Sequence, residues 1–155
     1  MSGYSVYDNG VLVKYGVFKA TQDATIEKIQ AVRNWLINMI HAWQPDYVGI
    51  EGIQLQENKD ARMGVTTFEV LARLQGCLML TCLDLGVTYE ICPTNTWRAH
   101  CKVKGQSRTD KKRSMQLLTK KWFDVTVSED EADAIGIGKY MAEVIVRNTQ
   151  IVNWE

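Results

Sequence analysis

Short apolar runs alternate along this chain with longer segments of helical periodicity, and this alternation most constrains the fold. The runs 47–51 and 87–92 are typical of buried strands. In segments 24–44 and 65–85, apolar residues recur at steps of three and four, as they do along one face of a helix. We therefore predict an α/β fold in which a mixed β-sheet is flanked by helices.

The two ends of the chain add a hairpin and further helices. Segments 3–7 and 11–18 flank Asn9-Gly10, a pair that favours the positive φ angles of a tight turn, so we predict an antiparallel hairpin. Loops are predicted at 52–62 and 102–107. Helices are predicted at 94–101, 108–122 and from 129 to about Arg147, followed by a loose tail at about 148–155.

Length and composition predict one globular domain that covers residues 1–155. The sequence has no apolar run long enough for a membrane span and no secretory signal at its start. Its four cysteines lack CxxC spacing, so we interpret them as reduced thiols of a cytoplasmic protein. A zinc site that includes His100 and Cys101 is an alternative interpretation.

The charges are unevenly distributed although the net charge is zero. Segment 102–121 has eight basic residues and one acid, and segment 124–133 has five acids and no base. A basic surface beside an acidic cluster favours a partner such as nucleic acid.

The acidic cluster lies at the start of a predicted helix. Ser128 and Glu131 have the spacing of a capping box, which places Asp130 and Asp133 on one helix face. Acids near a helix N-terminus are also favoured by the helix dipole without any function. That explanation suits Asp133 less well, because its sequence neighbours are apolar and a buried carboxylate requires a cation or a donor.

A third carboxylate, Glu51, closes the apolar run 47–51. Such an acid can simply reach water, but ligand sites in α/β proteins gather at the carboxyl ends of strands. If Glu51, Asp130 and Asp133 converge, they form an oxygen site suited to Mg²⁺ or Mn²⁺. With basic residues nearby, the expected substrate is a phosphodiester backbone.

Five motifs in order give the chain a family resemblance: YVGIEGIQ, the amphipathic helix after it, the Cys92-Pro93 strand end, KVKGQSRTDKKRSMQLL and DEADAIGIG. Over about residues 2–147 the sequence resembles the RuvC-type Holliday junction resolvases of phages and bacteria. The resemblance implies a ribonuclease H-like fold, a homodimer, and magnesium-dependent nicking of four-way DNA junctions.

The resemblance also implies roles for individual residues. Glu51, Asp130 and Asp133 match metal ligands, and Lys111 matches a catalytic lysine that stabilises charge on the phosphate. Six basic residues are expected to contact DNA phosphates: Arg98, Lys102, Lys104, Arg108, Lys112 and Arg113.

Two positions depart from the family pattern. The family's leading strand carries a metal-binding aspartate about seven residues before the match to Gly3-Tyr4, and we expect this strand and its aspartate to be absent here. Either the chain is a truncation or starts internally, or another segment fills the gap. Some relatives also have an aromatic residue where this chain has Gln54. Stacking on DNA bases would then fall to another residue such as Trp97.

We therefore predict a divalent-metal-dependent endonuclease that resolves four-way DNA junctions by paired cleavage. Two alternatives remain open at this stage. One is a non-catalytic protein of the same fold that binds junction DNA, and the other is a ribonuclease that acts on structured RNA.

Overall fold

The structure is a computed structural model that describes the backbone of residues 1–54 and 61–152. It contains four strands, six α-helices and one π-helical segment within these ranges. Their bounds are β1 Ser2–Asp8, β2 Val11–Phe18, α1 Thr25–Trp43, β3 Tyr47–Glu51, α2 Ala61–Asp84, β4 Thr88–Cys92, α3 Thr94–Cys101, α4 Arg108–Phe123, α5 Glu129–Tyr140, the π-helical segment Met141–Val146, and α6 Arg147–Val152.

The chain divides into two compact units. The first consists of Met1–Lys19 with Asn95–Glu155, and the second of Ala20–Thr94. The α/β class is confirmed, but the described strands pair in two separate two-stranded sheets, β1 with β2 and β3 with β4. That residues 1–155 act as a single domain stays a prediction.

The hairpin of the first unit forms where the sequence predicted it. β1 and β2 pair antiparallel, with a register shift at Val6/Tyr7. Asn9 and Gly10 have φ angles of 49° and 78°, so both occupy the left-handed region that this turn requires.

Helix α5 packs closely on β1 because small residues and hydroxyls line the contact. A Cβ atom at Gly3 would overlap the backbone carbonyl of Asp130. Ser5 Oγ donates a hydrogen bond to the carbonyl of Ala134 (2.7 Å), and Tyr7 Oη donates to that of Ile135 (2.8 Å). Burial raises the pKa of Tyr7 well above its usual value, which keeps this donor protonated. The start of α5 is thereby fixed to the hairpin.

The core of the first unit includes three large side chains. Trp97, Met115 and Ile135 come from three different helices and are fully buried. Gly136 allows the approach, because a Cβ atom there would lie 2.9 Å from the Trp97 ring and 3.1 Å from Met115. This packing holds α3, α4 and α5 together.

The second unit contains a parallel pair of strands that packs against helices. β3 and β4 pair in the register Tyr47↔Thr88 to Glu51↔Cys92, so both carboxyl ends lie at the same edge. Leu36 and Ile40 of α1 pack with Cys82 of α2 in its core. The periodicity correctly predicted α1, although Ile26 and Trp43, which belong to the same apolar pattern, are exposed.

Three boundaries differ from the prediction. Helix α2 begins at Ala61, inside the predicted loop 52–62, of which residues 55–60 lie outside the described ranges. The predicted helix from 129 to Arg147 is interrupted by the π-helical segment. The predicted loose tail was wrong as far as Val152, because α6 continues the helix to that residue.

The cysteines are free thiols, as the sequence predicted. Cys82, Cys92 and Cys101 are buried, and Cys77 is partly exposed. Burial raises the pKa of Cys92 to about 12 and that of Cys101 to about 11, so these thiols are protonated at neutral pH. No described helix is long and apolar enough to cross a membrane.

Replacing Gly3 with alanine tests the contact between β1 and α5. We expect Gly3→Ala to lower the free energy of unfolding by about 1–3 kcal/mol, because the new methyl group meets backbone rather than a yielding side chain. Urea unfolding followed by circular dichroism measures the change. Ser2→Ala on the same strand is the control, expected to stay within about 0.5 kcal/mol of the unaltered chain. Equal effects of the two variants would show that the contact is not tight.

Candidate active site

The acidic cluster is organised by the start of α5. The Ser128 side chain accepts a hydrogen bond from the Glu131 backbone, and the Glu131 carboxylate accepts one from the Ser128 backbone. This is the capping box that the sequence predicted. Asp130 lies in the first turn, and Asp133 follows one turn later on the same face.

Asp133 is buried, with 8% of the residue exposed, and two cations meet one of its oxygens. Lys112 Nζ of α4 lies 2.5 Å from Asp133 Oδ2, and an Arg98 guanidinium nitrogen of α3 lies 3.8 Å from the same atom. The expectation that this carboxylate requires a cation is therefore confirmed. The other oxygen, Oδ1, is buried and has no hydrogen-bond partner among the described residues.

The two cations are held in place by the helices that carry them. A second capping box, Ser107 with Asp110, begins α4 and thus fixes the register of Lys112. Hydrogen bonds from the Ser107 side chain and backbone keep the pKa of the Asp110 carboxyl below its usual value. Arg98 follows the buried Trp97, and its guanidinium lies 5.3 Å from the centroid of that ring.

The sequence did not predict the ion pair that Lys112 forms. It was expected to contact DNA phosphates, and the neighbouring Lys111 was matched to the catalytic lysine. The structure pairs Lys112 with Asp133 and leaves 11% of the Lys112 side chain exposed. Lys111 is partly buried and has no ion pair in the described part of the chain. The apolar sequence neighbours of Asp133 indicated that a cation is required, but they could not identify which basic residue supplies it.

The other predicted DNA contacts differ in exposure. Arg98, like Lys112, is directed at Asp133 and has 22% of its side chain exposed. The remaining four are exposed on the loop before α4 and on α4 itself: Lys102, Lys104, Arg108 and Arg113.

Trp97 cannot stack on DNA bases in this structure. The residue is completely buried, and its ring packs against the position of Gly136. The suggestion that Trp97 replaces the aromatic missing at Gln54 was therefore wrong. Its indole nitrogen is buried without a hydrogen-bond partner among the described residues.

Glu51 belongs to the second unit and ends β3, as predicted. It is exposed, and its Oε1 accepts a hydrogen bond from Thr94 Oγ1 (3.3 Å). Gln75 Nε2 of α2 donates to the Glu51 carbonyl (3.4 Å). The carboxylate therefore stands at the carboxyl edge of the parallel strand pair, where ligand sites of α/β proteins gather.

The carboxylate oxygens of Asp130 and Asp133 are of the ligand type that hard divalent metals prefer. No group of three or more His, Cys, Asp or Glu side chains that could hold a metal ion is found within the described ranges. In the first unit, however, Asp130 and Asp133 share a face, and Asp133 Oδ1 lacks a donor. A carboxylate oxygen without a hydrogen bond suits a hard cation, so these residues fit Mg²⁺ or Mn²⁺.

Comparisons with known proteins identify the class. The fold is similar to that of a Thermus thermophilus RuvC in complex with a Holliday junction substrate, with a TM-score of 0.64 and 13% sequence identity over 89% of this chain and 82% of that one. A second Thermus thermophilus RuvC structure gives a TM-score of 0.63 and 15% identity over 89% and 80% of the two chains. A comparison with curated proteins gave no match. The class is therefore that of proteins with a ribonuclease H-like fold.

The family model for crossover junction endodeoxyribonuclease RuvC matches residues 1–138. The chain accordingly belongs to the RuvC family. This membership confirms the resemblance noted in the sequence and the prediction of a junction-resolving endonuclease, a hydrolase.

Replacing Asp133 with asparagine tests the buried ion pair. Asp133→Asn keeps the shape of the side chain but leaves Lys112 and Arg98 without their carboxylate. We expect the free energy of unfolding to fall by about 3 kcal/mol in EDTA, as measured by urea denaturation. Asp130→Asn is the matched control, with an expected loss of no more than about 1 kcal/mol from the helix dipole. A smaller loss in Asp133→Asn than in Asp130→Asn would contradict the interpretation.

Proposed function

We propose that this chain cuts four-way DNA junctions by metal-dependent phosphodiester hydrolysis at a site that includes Glu51, Asp130 and Asp133. The observation that carries the proposal is the buried Asp133, which has one oxygen free of donors and lies on an acidic helix beside a basic one. The nucleases of this family depend on a divalent metal.

The three carboxylates are the proposed metal ligands. Magnesium is the proposed cofactor, with manganese as a substitute, because both are hard cations that prefer oxygen ligands. When bound, the metal supplies positive charge that polarises the phosphodiester and activates water.

The basic residues of the first unit have a different task. We propose that Lys111 stabilises the negative charge that develops on the phosphate. The exposed residues Lys102, Lys104, Arg108 and Arg113 contact the DNA backbone, because lysine and arginine on one exposed surface attract phosphates. Junction binding would therefore weaken steeply as the salt concentration rises.

We propose that the chain acts in the cytoplasm, because its four free thiols suit a reducing compartment.

We also propose that the chain forms a homodimer, since two opposed DNA strands must be cut symmetrically. The proposed dimer surface is the exposed face of α2 that carries Val65, Leu80 and Leu83, which are 46%, 57% and 70% exposed, together with the Glu69–Arg73 ion pair. Gly76 lies on the same face, and a Cβ atom there would meet nothing within 4 Å. Apolar side chains at helical spacing are typical of helix–helix interfaces.

Cleavage of a synthetic junction tests the site. With Mg²⁺ we expect paired nicks in a four-way junction and none in a linear duplex of the same sequence. Glu51→Gln, Asp130→Asn and Asp133→Asn should each slow cleavage by about 100-fold or more, because each removes a charged ligand of the metal. Denaturing gels measure the rates.

Binding in EDTA is the control for this experiment. The three variants should still shift the junction in a native gel, because phosphate contacts do not require the carboxylates. Cleavage that survives Glu51→Gln would contradict the site. Tight binding without cleavage at any metal concentration would indicate a binding protein, and preferential cutting of RNA hairpins would indicate a ribonuclease.

A charged residue on the exposed face of α2 tests the dimer. We expect Leu83→Glu to convert dimers to monomers in size-exclusion chromatography with light scattering, because a carboxylate would be buried in an apolar interface. Leu117→Glu is the control, since Leu117 on α4 is 65% exposed and lies outside the proposed surface. A monomeric unaltered chain, or equal dissociation in both variants, would contradict the proposed surface.

A further inference from the structure

The two oxygens of Asp133 have unequal surroundings. Oδ2 receives Lys112 at 2.5 Å and Arg98 at 3.8 Å, whereas Oδ1 receives no hydrogen bond from the described residues. A purely structural ion pair would be expected to satisfy both oxygens, because a buried polar atom without a partner is costly. This carboxylate is instead compensated on one side only.

Burial makes this compensation strong. The side chains of Lys112 and Asp133 are 11% and 12% exposed, so water screens their attraction only weakly. Without Lys112, the buried carboxylate of Asp133 would be left with the more distant Arg98. The ammonium of Lys112 is therefore the nearest positive charge to this buried carboxylate.

The same ammonium opposes a divalent cation. A metal ion at Oδ1 would lie close to two positive charges, and the repulsion would lower its affinity. Reversing this effect requires Lys112 to move away from Asp133 or to find another anion. A DNA phosphate is such an anion, so this role is compatible with the phosphate contact expected of Lys112 from the sequence.

We propose that Lys112 is an internal counter-ion that holds Asp133 in the metal-free protein and competes with the divalent metal for it. The inference rests on the metal-binding role proposed for Asp133. It gives Lys112 a positioning role that differs from the charge-stabilising role proposed for Lys111.

The test is the affinity of the DNA-free protein for Mn²⁺, measured by isothermal titration calorimetry. Lys112→Met keeps an apolar stem and removes the charge, and we expect it to bind Mn²⁺ about tenfold more tightly. Lys121→Met removes the same charge from an exposed residue near the end of α4 and should change the affinity by less than about twofold, because a charge not paired with Asp133 acts at longer range. Lys112→Arg retains the charge and should stay close to the unaltered chain.

Thermal unfolding gives a second readout. In EDTA, Lys112→Met should melt at a lower temperature than the unaltered chain, because Asp133 has lost its nearest cation. Saturating Mn²⁺ should raise the melting temperature of Lys112→Met more than that of the unaltered chain, since at a given metal concentration the stabilisation grows with the logarithm of the affinity.

Arg98→Gln provides an independent variant in case Lys112→Met does not fold. It removes the more distant cation and leaves the 2.5 Å pair intact. We expect its Mn²⁺ affinity to rise by about threefold, less than that of Lys112→Met, because the charge removed is farther away. Unchanged or weaker Mn²⁺ binding in Arg98→Gln would then overturn the proposal.

The outcomes separate this inference from the function on which it rests. Equal gains in Lys112→Met and Lys121→Met, or no gain in either, would overturn the counter-ion role while leaving the metal site intact. Mn²⁺ binding that persists unchanged in Asp133→Asn, or is absent from the unaltered chain, would overturn the metal-binding role of Asp133 and the inference with it.

Discussion

The charge of one buried aspartate organises the first unit. Asp133 is one of the buried residues of α5, so it is stable there only if a cation reaches it. Lys112 and Arg98 do so from α4 and α3, and each brings its own helix into a fixed position relative to α5. The apolar contacts of Trp97 and Met115 at Gly136 reinforce the same arrangement one turn later. The ion pair and the core packing therefore stabilise the same arrangement of the three helices.

The opposite side of α5 is fixed by close contact with β1. Gly3 allows the strand to touch the backbone at Asp130, and the hydroxyls of Ser5 and Tyr7 bind carbonyl oxygens farther along the helix. These carbonyls lie in the middle of α5, before the π-helical segment begins at Met141. The position of the two acids is therefore set by the hairpin as well as by the basic helix.

The sequence predicted most elements because their signals are local. Asn9-Gly10 identified the hairpin turn, and Ser128 with Glu131 identified the start of α5. It could not identify the partner of Asp133, because Lys111 and Lys112 are adjacent and only the register of α4 decides between them. It also mistook the buried Trp97 for a candidate DNA contact, since sequence alone does not reveal tertiary burial. The contribution of Glu51 to a shared metal site stays a prediction.

The pairing of Lys112 with Asp133 also explains how a chain of zero net charge can attract an anion. The basic segment 102–121 and the acidic segment 124–133 meet at this buried pair, and a second acid, Asp110, is used to begin α4. Exposed basic residues such as Lys104, Arg108 and Arg113 remain available on the loop before α4 and on α4 itself. Long-range attraction depends on where exposed charges lie rather than on the total, so these exposed cations can attract an anion although the net charge is zero. Neutral composition is therefore compatible with a polyanionic substrate in this fold.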